Sequence, residues 1–445
     1  MLTRGQRLVC AISDLGYQGE GISRVDGQVV FVPFALPQET VEISIESVKK
    51  NHASGRLLRV MQESPTRVDP ICPVFTRCGG CACQHMEYEQ QLRFKQAAVQ
   101  NSLKRIAGSG LRVLPVMGMD LPWRYRNKTT WQFSHDGGRF RAGFFALKSR
   151  QLVETGSCPI AQPGSEAAAA AVLSLVNGGL SQMASRMLSG LSRVTSRVNR
   201  KGEALLAMAF QGGAPDCLGA LAAGLHSAMP SLMGVWAVTL NPDGMENAQH
   251  ISGQAYLEET IDGLVFRISP MSFFQVNPDI YERMYKDAIQ QTLGGQADTL
   301  VDVYSGTGTL SLLAARHFRR VIGLELSGEA VQDARLNAQA NQIKHVDFIQ
   351  GFAENELPAL LTSGVRPDAI LLDPPREGAH PKVIAAMAQA QPGRIVYISC
   401  HPPSQARDVA LLQAAGYEAV RSQPYDMFCQ TAEVENIITL IRRST

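Results

Sequence analysis

A regular alternation of strand and helix patterns in the last third of the chain constrains the fold more than any other sequence feature. From Ile268 onward, short apolar runs alternate with longer amphipathic segments. The pattern predicts strands at 299–304, 321–326, 346–350, 369–372 and 394–399, and helices at 310–318, 328–341, 380–390 and 404–415. Such alternation is typical of a doubly wound parallel sheet, which places this part of the chain in the α/β class.

The 445 residues correspond to roughly three domains. Residues 1–64 read as a small β-barrel, since short alternating runs flank an Asp26-Gly27 hairpin signal. Residues 65–265 read as a central α+β domain with helices at about 85–106 and 167–176. Residues 266–445 form the predicted doubly wound, Rossmann-like domain.

Composition narrows the class of protein. Hydrophobic residues make up 45% and charged residues 18%, which excludes disordered and fibrous chains. No apolar stretch is long enough for a signal sequence or a membrane span, so we expect a soluble, cytoplasmic protein without membrane association. We also expect the protein to act as a monomer. Nine cysteines favour metal binding or catalysis over a disulfide framework.

One segment is strongly basic although the whole chain has a formal charge of only +2. Residues 93–150 contain twelve basic and two acidic residues, interleaved with aromatic ones such as Trp123, Tyr125, Trp131 and Phe133. Such a mixture can neutralise phosphates and stack on bases, which predicts RNA binding. A solvated basic face above ordinary core aromatics is the alternative.

A glycine turn follows the first predicted strand of the doubly wound sheet. Residues 302–309 read Asp-Val-Tyr-Ser-Gly-Thr-Gly-Thr, and Glu325 ends the next strand, where a carboxylate can bind ribose hydroxyls. The third glycine of the dinucleotide fingerprint is absent, as is the G-K-[ST] of a triphosphate loop. The turn therefore favours S-adenosylmethionine as the ligand, the alternative being a loop that merely packs.

Two further strand ends carry reactive side chains. Asp373 opens the sequence Asp-Pro-Pro-Arg after one strand, and Cys400 follows the next. Because parallel strands present their carboxyl ends at one edge, both should lie beside the glycine turn. The pair forms a coherent nucleophilic site, although Cys400 alone also fits a buried strand-end thiol.

Four cysteines are the candidate metal ligands: Cys72, Cys78, Cys81 and Cys158. Four thiolates suit either a tetrahedral zinc or a 4Fe–4S cluster, and the spacing does not choose between them. The C-x3-C-x2-C spacing of radical enzymes is absent. Cys83 is a fifth nearby thiol.

Together these features resemble the iron–sulfur RNA 5-methyluridine methyltransferases, especially those acting on large-subunit ribosomal RNA. The matching motifs span nearly the whole chain and lie at 17–22, 30–33, 72–84, 123–128, 273–277, 373–376, 399–400 and 426–428. The resemblance implies that residues 1–64 are a TRAM domain that binds RNA. It also implies that the four cysteines hold a 4Fe–4S cluster in the central domain, and that the helical region at about 86–121 packs against a C-terminal methyltransferase domain.

The resemblance also assigns roles. Cys400 is implied as the nucleophile and Glu435 as the proton acceptor. The implied contacts to S-adenosylmethionine or to the target base are Gln275, Tyr304, Thr309, Glu325 and Asp373. Thr309 stands where the family usually has Asn, and His401 follows the nucleophile where Asn is common.

Three alternatives to methylation of ribosomal RNA remain at this point. One is methylation of uridine in transfer RNA, and another is methylation of a free small molecule. The third is an RNA-binding assembly factor without catalysis, motivated by Thr309, Gln430 and Glu433, which depart from the family pattern. A final strand predicted at 432–438 would put Glu433 and Glu435 on the same face, where mutual repulsion would raise the pKa of at least one carboxyl. The alternative is that Glu433 faces solvent at the rim of the pocket and takes no part in the reaction.

Overall fold

The structure is a computed structural model that describes residues 2–136, 138–179, 188–240, 246–294 and 298–443. It contains three main sheets, one in each predicted region, and a short hairpin between the second and third. The α/β assignment is confirmed. The predicted domain limits at 64 and 265 stay predictions. No helix in these ranges is long and apolar enough to cross a membrane.

The N-terminal sheet is closed by a single bent stretch of chain. Its six strands are β1 (Arg7–Ala11), β2 (Asp14–Leu15), β3 (Gly21–Val25), β4 (Gln28–Val32), β5 (Thr40–Val48) and β6 (His52–Gln62). In the order β1-β5-β6-β4-β3-β2, the first and last strands are consecutive in sequence. Only Ile12 and Ser13 separate them, and their amides donate to Glu39 and Ile22 at 2.9 and 2.8 Å. The result is a barrel, as predicted.

The predicted hairpin lies between β3 and β4. Val25 pairs with Gln28, so Asp26 and Gly27 form a two-residue loop. Their φ angles of 50° and 79° are those of a type I′ turn, whose twist matches that of paired strands. The alternating residues of β4 and β5 bury Val30, Val32, Val41, Ile43 and Ile45 inside the barrel.

Helix α1 (Tyr88–Ile106) follows the cysteine segment and packs against the C-terminal domain. Its Val99 and Leu103 belong to the same buried cluster as the C-terminal sheet. Packing between these parts is what the family resemblance implied. The helix predicted at about 85–106 is confirmed. The longer helical region at about 86–121 that the resemblance implied is wrong in its second half, since residues 108–121 are irregular and reach the last hairpin through backbone hydrogen bonds.

The central sheet has seven strands in the order β13-β12-β11-β10-β7-β8-β9. They are β7 (Lys128–Asp136), β8 (Arg139–Phe145), β9 (Leu152–Glu154), β10 (Leu191–Val198), β11 (Ala204–Gln211), β12 (Leu232–Leu240) and β13 (Glu246–Gly253). Helices α2 (Pro163–Ser174) and α3 (Leu218–Ala228) cover one face, where the core of this domain lies. The hairpin β14 (Leu257–Ile261) and β15 (Leu264–Ile268) follows.

The C-terminal sheet has the order β18-β17-β16-β19-β20-β22-β21. Its strands are β16 (Thr299–Val303), β17 (Arg320–Glu325), β18 (Val346–Gln350), β19 (Ala369–Leu372), β20 (Arg394–Ser399), β21 (Tyr417–Tyr425) and β22 (Glu435–Arg442). The first five are parallel and the last two form an antiparallel hairpin. The chain starts in β16, builds outward to β18 and returns to β19, which makes the β16–β19 crevice a topological switch point where such sheets bind ligands.

Helices cover both sides of this sheet. They are α4 (Pro278–Thr292), α5 (Thr309–Ala314), α6 (Gly328–Ala340), α7 (Ala353–Thr362), α8 (Pro381–Ala390) and α9 (Pro402–Ala414). The predicted strands and helices are confirmed to within a few residues, but α4, α7 and β21 were missed. The predicted final strand at 432–438 is wrong in its start, because β22 begins only at Glu435.

Candidate active site

The glycine turn after β16 is shaped by close packing and by Glu325. Gly308 has a φ of 78°, and a Cβ there would lie 2.6 Å from Cζ of Phe348, so no side chain fits. Gly306 donates its amide to Oε2 of Glu325 at 2.9 Å. The other carboxylate oxygen of Glu325 accepts the amide of Ser327 at 2.8 Å. Glu325 is thus held at the rim of the crevice by two backbone amides.

One large cavity of about 1270 Å³ opens beside this turn. All seven residues predicted to bind the cofactor or act in catalysis line it: Gln275, Tyr304, Thr309, Glu325, Asp373, Cys400 and Glu435. They come from the ends of β16, β17, β19 and β20, the start of β22 and the segment before α4. The sheet therefore brings them together, while their individual roles stay predictions.

Three carboxyl groups lie close together at this edge of the sheet, of which Asp302 and Glu435 are buried and Asp373 is half-buried. Burial raises the pKa of Asp302 to about 7, and Oγ of Ser311 donates to it at 2.6 Å. Burial, with the charge of Asp302 added, also raises the pKa of Asp373. The pKa of Glu435 is raised by burial and then by Asp373 and Glu433, and its Oε2 has no hydrogen-bond partner. Groups so arranged share protons and are suited to proton transfer.

Cys400 lies directly after β20, beside Asp373 and Glu435. Burial raises the pKa of its thiol to about 12, and the two carboxylates contribute in the same direction. Arg376 is the opposing group and lowers the pKa of this thiol. At neutral pH the side chain is therefore a thiol, and it acts as a nucleophile only once its proton has moved to a base or a positive charge has entered the cavity.

Glu433 lies at the cavity rim. It precedes β22, its side chain is 40% exposed, and it forms an ion pair with Arg376. The expected place on a common strand with Glu435 is wrong, because β22 begins only at Glu435. The expected repulsion is present, since Glu433 contributes to raising the pKa of Glu435. Glu435, by contrast, is only 3% exposed.

The four cysteines predicted to bind metal line a second cavity, of about 350 Å³. Its other polar lining includes Gln84, Arg126 and Lys128. Burial raises the pKa of Cys81 to about 12, with the other three thiols adding to the effect. Within the ranges that the structure covers, no group of three or more His, Cys, Asp or Glu side chains could hold a metal ion. Cys83 does not line this cavity and is fully buried.

The loop that carries Cys72, Cys78 and Cys81 is hydrogen-bonded to the segment before Glu435. The amides of Ala82 and Cys83 donate to the carbonyl of Gln430 at 3.1 and 3.0 Å. Gln91 of α1 donates to the side chain of the same Gln430 at 3.0 Å. The hydroxyl of Tyr125 donates to the carbonyl of Cys429 at 2.9 Å. Gln430, with a φ of 68°, is the junction between the two cavities.

A buried ion pair completes this junction. Lys95 of α1 and Asp426 have no exposed side-chain surface and contact each other directly. Tyr88 donates to the second oxygen of Asp426 at 2.7 Å, and Lys95 donates to the carbonyl of Phe428 at 3.0 Å. Counting Lys95 among the phosphate-binding residues of the basic segment was wrong, since it is an internal anchor for residues 426–428.

In the rest of the basic segment, buried aromatic residues alternate with more exposed residues along the strands. Tyr125, Trp131, Phe133 and Phe140 are buried in the protein, so the expectation that these aromatics stack on bases is wrong. Their buried positions in β7 and β8 alternate with more exposed ones. The alternative of core aromatics beneath a basic face fits these strands.

The basic side chains of this segment differ in their burial and in their partners. Arg124 pairs with Glu166 at 2.7 Å, and Glu166 accepts the amide of Cys158 at 2.6 Å, so this ion pair braces the loop that carries Cys158. Burial, with Arg197 adding to it, lowers the pKa of Lys128 to about 8. Lys148 is exposed and lines the large cavity.

Comparison with known proteins decides the family. Residues 244–443 match the family described as tRNA (Uracil-5-)-methyltransferase, and residues 2–58 match the TRAM domain. An uncharacterized RNA methyltransferase of Caldanaerobacter subterraneus subsp. tengcongensis is 37% identical over 98% of both chains. A second, from Halalkalibacterium halodurans, is 34% identical over 96% of this chain and 95% of its own. The chain belongs to the TRAM-containing RNA (uracil-5-)-methyltransferase family.

A solved structure supports the fold of this family member over its length. The tRNA (uracil-54, C5)-methyltransferase of Pyrococcus abyssi, in complex with S-adenosyl-L-homocysteine, superposes with a TM-score of 0.77. It covers 98% of this chain and all of its own, with 24% sequence identity. The Rossmann-like C-terminal domain and the N-terminal TRAM barrel that the sequence predicted are thereby confirmed.

Sequence reasoning missed several residues of this RNA (uracil-5-)-methyltransferase family member. Lys95 and Tyr88 had no signal of their own, because their partner Asp426 is more than 300 residues away. Arg376 belongs to the recognised Asp-Pro-Pro-Arg motif, but its pairing with Glu433 depends on an irregular loop. Tyr17 belongs to a barrel motif, and nothing in the sequence placed it near Cys400.

Proposed function

We propose that this protein methylates C5 of uridine in RNA, with S-adenosylmethionine as methyl donor and Cys400 as nucleophile. The observation that supports this most directly is the convergence of Cys400, Asp373 and Glu435 on one cavity with the glycine turn and Glu325. The TRAM match supports RNA as the substrate, rather than a free small molecule. The retained nucleophile and base argue against an inactive RNA-binding factor.

Uracil C5 reacts poorly with electrophiles unless C6 carries a nucleophile. The Cys400 thiolate would add to C6 and make C5 enolate-like. When bound, S-adenosylmethionine supplies an electrophilic methyl group on a positively charged sulfur. Attack of C5 on that methyl group would form the C5–methyl bond and break the methyl–sulfonium bond, leaving a neutral thioether. Glu435 would then accept the C5 proton, and the C6–sulfur bond would break to return Cys400 as thiolate. The buried position that raises the pKa of Glu435 makes its carboxylate a stronger base than an exposed one.

The cationic donor also bears on Cys400. A positive charge in the cavity lowers the pKa of a nearby thiol, in the opposite direction to Asp373 and Glu435. Arg376 already acts in this sense. Activation of the nucleophile would therefore be coupled to binding of the methyl donor, which protects the thiol while the donor is absent.

The cysteine cavity is proposed to hold a 4Fe–4S cluster through Cys72, Cys78, Cys81 and Cys158. Four thiolates in one largely buried cavity repel one another, so a metal centre is needed to keep them together deprotonated. A single tetrahedral zinc would require sulfur atoms about 3.8 Å apart, and the cysteines do not form a group for one metal ion. The four thiols line one cavity of about 350 Å³, which has room for a polynuclear centre.

Large-subunit ribosomal RNA is the proposed substrate, with transfer RNA as the second candidate because of the Pyrococcus protein's name. Ribosomal and transfer RNA from a strain lacking the gene should be compared with wild-type RNA by nucleoside mass spectrometry. Loss of 5-methyluridine from the large-subunit RNA is the expected result. Loss from transfer RNA alone would transfer the proposal to that substrate, and no loss from either would contradict it.

The covalent step has its own test. RNA containing 5-fluorouridine at the modified position should form a stable adduct with the wild-type protein, because fluorine cannot leave C5 as a proton does. The adduct should require S-adenosylmethionine and should map to Cys400 by peptide mass analysis. An enzyme that methylates normal RNA but gives no adduct would use a mechanism without attack at C6.

A further inference from the structure

A loop of the N-terminal barrel forms part of the rim of the catalytic cavity. Residues 16–20 connect β2 and β3 and line this cavity from Tyr17 to Glu20. The amide of Gly16 donates to the carbonyl of Glu20 at 2.7 Å, and that of Gly19 to the carbonyl of Gly16 at 3.0 Å. The carboxylate of Glu20 accepts the amide of Gln18 at 2.9 Å. These internal bonds hold the loop in one shape.

The loop is also seated against the cysteine loop and the catalytic domain. Gly19 has a φ of 82°, and a Cβ built there would lie 3.3 Å from Sγ of Cys83 and 3.6 Å from Cβ of Ala432. Cys83 belongs to the cysteine loop, and Ala432 comes three residues before the base Glu435. The barrel loop is therefore fixed relative to the nucleophile and the base, and it is not a free appendage.

Tyr17 is the residue of this loop that lies near Cys400 and His401. Its ring centroid lies 5.7 Å from that of His401, at an interplanar angle of 79°. Burial raises the pKa of its hydroxyl to about 12, and Cys400 and Glu433 are close enough to add to this shift. The residue is nevertheless 45% exposed. A neutral aromatic ring is thus held edge-to-face by His401 with much of its surface open to the cavity mouth.

We propose that Tyr17 stacks on the nucleotide next to the target uridine and thereby positions the target at Cys400. This inference rests on the proposed function. The target ring must reach Asp373, Cys400 and Glu435, whose reactive groups lie inside the cavity. The RNA that enters has to pass the rim, where Tyr17 stands. A uridine taken out of its stack leaves its neighbour unstacked, and an aromatic side chain replaces that lost contact without regard to base identity.

The test uses the full-length protein and an RNA oligonucleotide containing the uridine identified by nucleoside mapping. Tyr17→Ala should lower kcat/KM by about 5- to 150-fold, the range expected for one base–aromatic stack, mainly through KM. Tyr17→Phe should behave as wild type, because the ring and not the hydroxyl makes the contact. Tyr256→Ala serves as a matched control, since that tyrosine stacks with Arg267 and does not line the cavity.

A second RNA separates stacking from a role in folding. In an oligonucleotide that is abasic on both sides of the target, the stack is already lost, so wild type and Tyr17→Ala should differ by less than about twofold. Tyr17→Leu, which keeps apolar bulk without a π face, should behave like Tyr17→Ala on normal RNA. The inference is overturned if Tyr17→Ala methylates normal RNA like wild type, if Tyr17→Phe loses activity, or if the defect persists on abasic RNA. In each of these cases wild-type activity stands, whereas failure of the proposed function would leave the wild type inactive.

Discussion

The two cavities are built in opposite ways. The catalytic cavity takes most of its reactive residues from strand ends of one sheet, and its carboxyl Glu435 is almost fully buried while Asp373 is half-buried. The cysteine cavity takes its thiols from loops, and all four remain partly exposed. A sheet fixes reactive groups through its own hydrogen-bonded ladder, while loops depend on side-chain contacts and on the ligand they hold. The first cavity should therefore tolerate substitutions without losing its shape, and the shape of the second should depend on the cluster proposed for it.

The largest effect is expected from the nucleophile. Cys400→Ser should lower turnover by roughly 10⁴-fold or more, because a serine hydroxyl in this site is far harder to ionise than the thiol. The folded state should persist, since Cys400 follows strand β20, which is hydrogen-bonded on both sides in the C-terminal sheet. Single-turnover methylation and thermal unfolding, measured on the same preparation, check both statements. A variant that lost activity together with its unfolding transition would contradict the contrast between the two cavities.

Replacing one of the four cysteines of the cysteine cavity should lower the metal content and the stability of the protein. Cys158→Ala should lose most of about four irons per chain and the brown colour of anaerobically purified protein. Cys83→Ala is the matched control and should keep its iron, because Cys83 lies outside this cavity. Iron analysis and absorption spectra measure the outcome. One tightly bound zinc in a colourless wild-type protein would refute the cluster.

The two carboxylates at the start of β22 should differ sharply. Glu435→Gln should accumulate the methylated covalent RNA adduct, because the buried base that removes the C5 proton is gone. Glu433→Gln should turn over with only a modest change, since Glu433 is at the rim and pairs with Arg376. Denaturing gels of enzyme with labelled RNA distinguish the two. Trapping by Glu433→Gln but not by Glu435→Gln would reverse their roles.

The pH profile tests how Cys400 is activated. Its pKa of about 12 lies above neutrality, so the thiolate fraction, and with it kcat/KM, should rise as pH increases from 6 to 9. Arg376 lowers that pKa, so Arg376→Gln should raise it and move the profile further to the alkaline side. Rates measured with wild type and Arg376→Gln across this range provide the check. An unshifted profile would mean that Arg376 does not act on the thiol.

The smallest effect is expected from single surface cations. Lys148→Gln should weaken RNA binding uniformly and reduce the salt slope by about one unit, because Lys148 is exposed at the cavity. Arg124→Gln should leave the salt slope unchanged and instead loosen the Cys158 loop through Glu166. Binding titrations at several salt concentrations measure both. Equal slopes for the two variants would remove the distinction between them.

The sequence predicted the catalytic cavity better than its surroundings. Asp373 and Cys400 were placed correctly beside the glycine turn because the carboxyl ends of parallel strands share one edge. The burial of Trp131 and Phe133 was also readable, since they alternate with polar residues at the period of a strand, yet composition was given more weight. For Glu433 the sequence left two positions open, a strand face shared with Glu435 and an exposed place at the rim, because the choice depends on where an irregular segment ends and β22 begins.

The contact between Lys95 and Asp426 spans 331 positions of sequence. During synthesis, helix α1 leaves the ribosome long before Asp426 does. Lys95 therefore has no counter-charge from Asp426 while most of the protein is being made. An unpaired buried ammonium is costly, so α1 cannot settle in its final place until the last hairpin arrives. Glu435, the proposed base, belongs to that same hairpin. We therefore expect the active site to be completed only after the last hairpin is in place, and any product truncated before Asp426 lacks Glu435 and the partner of Lys95 together.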